Sequence, residues 1–139
     1  MSIQLPATRC QHIVSILLMI ISFLFIVSGE ANTANLVSGQ YISAGGTAVV
    51  LRLTIQNPSP SNLIVEQYLS PGNEIAGTSP HAKKINSASG KVKWLFRNTQ
   101  SGNINLTIRL KAPLVGSVHA TVHYRDPQGG MFTELQISP

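Results

Sequence analysis

After residue 31 the chain alternates between apolar and polar positions with a period of two, which marks half-buried strands. The clearest run is Thr47 to Gln56, where Val49, Leu51, Leu53 and Ile55 alternate with Val50, Arg52, Thr54 and Gln56. The same pattern recurs at Asn62–Leu69, and at Ile104, Leu106, Ile108 and Leu110. It appears again at Val118, Ala120, Val122 and Tyr124, and at Met131–Ile137, where Leu135 and Ile137 point inward. Shorter strands are predicted at Gln40–Ser43 and Glu74–Thr78. The face of Asn62–Leu69 that turns inward stays open, because Leu63, Val65, Gln67 and Leu69 on one side and Ile64, Glu66 and Tyr68 on the other are both partly apolar.

The strand within Ser89–Asn98 holds the single tryptophan. Val92, Trp94 and Phe96 share one face, while Lys91, Lys93 and Arg97 share the other with Leu95. A large aromatic on a central strand supplies the area a small sandwich core needs. The predicted core comprises Trp94, Phe96, Leu51, Leu53, Leu106, Ile108 and Val122. Turn-forming clusters such as Asn57-Pro58-Ser59-Pro60-Ser61 and Asp126-Pro127-Gln128-Gly129-Gly130 separate the runs. Ser79–Ser89 is a polar excursion between sheets, or a poor strand around Lys84-Ile85. Seven or eight short strands at such spacing predict an all-β antiparallel sandwich.

The N-terminus differs. Ile13 to Val27 is an uncharged apolar run of 15 residues, followed by the small residues around Ser28-Gly29 and Ala31. A signal core spans ~7–15 residues and a membrane span about 20. Residues 1–31 therefore read as a hydrophobic signal helix, or as a membrane anchor through residues 13–27 if uncleaved, and 32–139 as the sandwich domain. Secretion or display at the cell surface follows from either. The one cysteine, Cys10, lies ahead of the apolar run, so the domain has no thiol for a disulfide or metal.

The formal charge is +5, and loss of Arg9 and Glu30 with the leader leaves it unchanged. Lys83, Lys84, Lys91, Lys93 and Arg97 form the one coherent basic patch to propose, suited to a glycan or an anionic cell-surface polymer. Lysines also protect edge strands from aggregation, and nucleic acid is not expected. His119 and His123 share a face but stand ~13 Å apart along a strand, too far for one zinc ion. Glu66 and Glu74 flank a turn and would face each other across a hairpin, the minimum for a glycosidase pair. Asp126 alone is thin for calcium. Phosphate loops and serine elbows are absent, so neither enzyme chemistry nor a cofactor is expected.

Taken in order, Tyr41, Gly45-Gly46, Val49–Leu53, Leu63–Gly72, Ser89-Gly90-Lys91-Val92-Lys93-Trp94, Gly116-Ser117-Val118 and Tyr124-Arg125-Asp126 resemble an immunoglobulin-like module. Such modules occur in large bacterial surface and secreted proteins, often beside dockerin or anchoring domains. The strand Gly90-Lys91-Val92-Lys93-Trp94 matches the family's G-K-V-K-W segment best. The family's Pro-Pro-Gly-Trp is replaced by Ser70-Pro71-Gly72-Asn73. The resemblance implies a spacer or adhesion module, with an unknown protein or surface polymer as partner and no catalytic residues.

Overall fold

The structure, a computed structural model, describes residues 35–139; the segment 1–31, expected to be a signal helix or membrane anchor, lies outside them. Nine strands form, with no helix among the described residues: β1 (Val37–Gly45), β2 (Ala48–Ile55), β3 (Asn62–Leu69), β4 (Ile75–Ser79), β5 (Lys84–Asn86), β6 (Lys91–Arg97), β7 (Gly102–Leu110), β8 (Val118–Arg125) and β9 (Phe132–Ile137). They make two antiparallel sheets, one ordered β1-β2-β7-β4 and the other β5-β6-β3-β8-β9. Their inward faces share one apolar cluster, giving a β-sandwich-like domain.

The count exceeds seven or eight because the polar excursion after β4 contains β5. Its three residues, all exposed, carry no apolar alternation and are recruited by pairing with β6. The first strand is also longer than its apolar pattern. Its polar and glycine positions hydrogen-bond along β2, with a register shift between Tyr41 and Ser43.

Alternation sets the core. Val49, Leu51 and Leu53 of β2 lie opposite Ile108, Leu106 and Ile104 of β7, and all but the half-buried Ile104 are buried. In the other sheet Leu63, Val65, Gln67 and Leu69 face inward, which settles the orientation of β3. Val65 has Trp94 on one side and Val122 on the other. Trp94 is 1% exposed, and its indole N–H donates to the Pro80 carbonyl at 2.9 Å. That bond ties the crossover from β4 to β5 down onto the core. Phe96 is only half-buried and packs on the cluster's margin, at the end of β6 where the sheet gives out.

Two glycines leave no room for a side chain, Gly90 against backbone and Gly39 against core side chains. Gly90, opening the Trp94 strand, has φ +65°, and a Cβ there would strike the Leu69 carbonyl. Gly39 lies where the edges β1 and β9 meet, and a Cβ would collide with Ile137 and Leu53. Asn73 is 7% exposed and fastens the turn after β3. Its amide donates to the carbonyls of Ser70 (2.7 Å) and Val115 (2.8 Å), and its oxygen accepts from the Val115 N–H (2.9 Å). A polar staple thus occupies that turn.

Gln67 is fully buried, and neither end of its amide has a hydrogen-bond partner. An unpaired buried amide is costly. Gln67→Met, which keeps the volume, is expected to raise stability by about 1–2 kcal/mol in urea denaturation. A loss instead would show that the amide is satisfied. Trp94→Ala is expected to lower stability by about 3–5 kcal/mol in the same assay. A near-neutral result would mean that Trp94 does not anchor the core.

Candidate functional site

The outward residues of the five-stranded sheet form a lattice whose rows follow the register. One row runs Asn86, Lys91, Tyr68 and His119 from β5 to β8. The next runs Lys84, Lys93, Glu66, Thr121 and Gln136 across all five strands. A third holds Leu95, Ile64, His123 and Glu134. The last holds Arg97 opposite Asn62, then Arg125 opposite Phe132.

Glu66 organises the first two rows. Its carboxylate lies 2.9 Å from Lys91 Nζ and 3.1 Å from Lys93 Nζ, and accepts from the Tyr68 hydroxyl at 2.7 Å. Burial alone would raise its pKa; hydrogen bonds from Lys91, Tyr68 and Lys93, with the Lys91 charge, outweigh that and hold it at about 2. The same bond to Glu66, with that to Tyr68, raises Lys91. Tyr68 stacks on His119 at 4.9 Å between centroids and 11° between planes, while Lys91 Nζ lies 5.2 Å from its centroid. His119 and Lys91 stand on opposite neighbours of β3, so neither side of the Tyr68 ring is free for a flat ligand.

The other end is open. A groove of about 510 Å³ runs beside Ile64, His123, Arg125 and Phe132. Phe132 is 65% exposed, and its ring lies 5.8 Å from that of His123. His123 Nδ1 is 3.7 Å from Glu134. Asp126 turns back on its own loop, accepting from the N–H groups of Gln128 (2.7 Å) and Gly129 (3.3 Å). The outward face of the four-stranded sheet carries a plainer surface. There Arg52 donates to Asn105 (3.1 Å) and Thr54 to Asn103 (2.9 Å).

Four of the five candidate basic residues, Lys84, Lys91, Lys93 and Arg97, meet on the one face; Lys83 is exposed just ahead of β5. Lys84, Lys91 and Lys93 surround a small cleft of about 180 Å³ with Glu66 and Asn86. Arg97 lies two rows away. Glu66 and Glu74 do not face each other across a hairpin, because β3 and β4 belong to different sheets. Glu74 instead pairs with Lys111 at 3.0 Å. The histidines are engaged separately, by Tyr68 and by Phe132 with Glu134, and no metal-ligand cluster occurs among the described residues. The Glu66 bridge had a legible signal: two lysines separated by one inward valine, facing one acid on a neighbouring strand. The groove had none, since Phe132 and Ile64 are far apart in sequence.

No known family model, curated protein or solved structure matches the chain.

Because Glu66 titrates at about 2 in the fold, against an ordinary 4.5, the folded state binds fewer protons between those values. The stability it contributes is complete above pH 4.5 and lost as pH falls through about 2. Glu66→Gln is expected to cost about 2 kcal/mol at neutral pH, and the gap from wild type should close in acid. Urea midpoints across the acid range would check this; a pH-independent gap would contradict it.

Proposed function

We propose that this chain is an exported, non-catalytic module of immunoglobulin-like type that binds a partner at the cell surface or in the extracellular space. The outer face of the five-stranded sheet is its working surface. Strand adjacency supports the type. The set β1-β2-β7-β4 corresponds to the A-B-E-D sheet of an immunoglobulin domain, and β9-β8-β3 to its G-F-C strands, with β6 and β5 extending that sheet. One difference is the chain order: the strand at the D position precedes the two added strands. The tryptophan also stands on β6 rather than on the C-like β3. The apolar leader supports export.

The observation that carries the reading is the exposed Phe132 beside a groove that it lines with Ile64, His123 and Arg125, on a face whose other half is tied together by Glu66. A second reading, binding of a glycan or anionic polymer through Lys91 and Lys93, is favoured by three lysines against one carboxylate in the small cleft.

Capture from a native cell-surface extract tests the first reading. Phe132→Asp should lose the captured partner, whereas Arg52→Ala on the opposite face should retain it. Equal capture by both would place the working surface elsewhere.

A further inference from the structure

Arg97 and Arg125 lie on either side of Asn62 at the open end of the face. Arg97 is the register partner of Asn62 on β6. Arg125 follows Tyr124, the partner of Leu63 on β8. Two strand spacings separate their backbones by about 10 Å. Both are exposed, and neither has a carboxylate within ion-pair distance among the described residues. Asp126, the acid next to Arg125, is taken up by its own loop.

We propose that this end of the face binds an acidic polysaccharide. The forks of Arg97 and Arg125 hold successive sugar carboxylates. A sugar ring lies on Phe132, and Asn62 and Ser61 at the groove supply hydrogen bonds to hydroxyls. The site deepens the anionic-polymer reading of this face and moves its centre from the lysines to the arginines.

Three features select this ligand. Arginine's planar fork matches a carboxylate in two parallel hydrogen bonds, which a lysine does not. Lys91 and Lys93 already share Glu66, whereas the two arginines are free of carboxylates. Phe132 offers an open ring for the apolar side of a sugar, while Tyr68 is closed between His119 and Lys91. The groove of about 510 Å³ is lined by Arg125, Asn62 and Phe132, with Arg97 one strand beyond Asn62 outside it, and falls in the range of small-ligand clefts. An acidic peptide fits less well. Its carboxylates would reach the arginines, but it brings no apolar sugar face to lie on Phe132.

The test uses the full-length chain, purified in mild non-ionic detergent, on surfaces of polygalacturonate, dextran and polyglutamate. Wild type should bind polygalacturonate and neither of the others. The pair Arg97→Ala with Arg125→Ala should weaken that binding about tenfold or more, and Phe132→Ala severalfold. The pair Arg52→Ala with Arg109→Ala removes the same charge from the opposite sheet and should leave binding unchanged. Equal loss from both arginine pairs would reduce the effect to net charge and overturn the site. Loss confined to Lys84→Ala with Lys93→Ala would also overturn it, while keeping the polymer reading on the lysine rows. Equal binding to polyglutamate would overturn the sugar as ligand. A wild type that binds no acidic polysaccharide would overturn both the site and the polymer reading, leaving partner capture as a separate result.

Discussion

The register of β6 on β3 is the constraint on which the rest depends. It sets Trp94 beside Val65 in the core and, one residue away, Lys93 beside Glu66 on the surface. A slip of one residue would bury the lysines and expel the tryptophan, since strand side chains alternate between faces. Core and surface are therefore specified together. The same register extends through β8, where Val122 faces inward and Thr121 and His123 outward.

The outer face divides into a fixed half and an open half. In the fixed half Glu66 takes Lys91, Lys93 and the Tyr68 hydroxyl, and Tyr68 stacks on His119, while Lys84 stands at the margin of the cluster. Partly sheltered charges with mutual hydrogen bonds hold one geometry better than free surface charges do. In the open half Phe132 and Arg125 are exposed, and with the half-buried Ile64 and His123 they surround a concavity. A rigid sheet with one unfilled end suits recognition, because little order has to be gained on binding.

The long alternating strands were legible because the burial of one face writes itself into the sequence. Asn62–Leu69 was found with its bounds, and only its two half-apolar sides left the inward face open. Its structure explains the ambiguity: Ile64 and Tyr68 are half-buried by neighbours on the outer face, and Gln67 is a polar residue inside. β5 is legible only as a poor strand around Lys84-Ile85, because three exposed residues bury nothing. Asn73 is legible in sequence as part of the turn Ser70-Pro71-Gly72-Asn73, but its stapling role is not, because that depends on Val115, which the fold brings to it from a distant loop. The pairing of Glu66 with Glu74 failed for a topological reason. The short turn predicts a hairpin, whereas the chain there crosses from one sheet to the other.

The most direct test of the working surface is a map of backbone amide shifts by NMR as the captured partner is added. The account predicts perturbations gathered at Asn62–Ile64, His123–Arg125 and Phe132, with Ser38–Gln40, Arg52 and Asn103–Asn105 unmoved. Perturbations centred on the second group would contradict it.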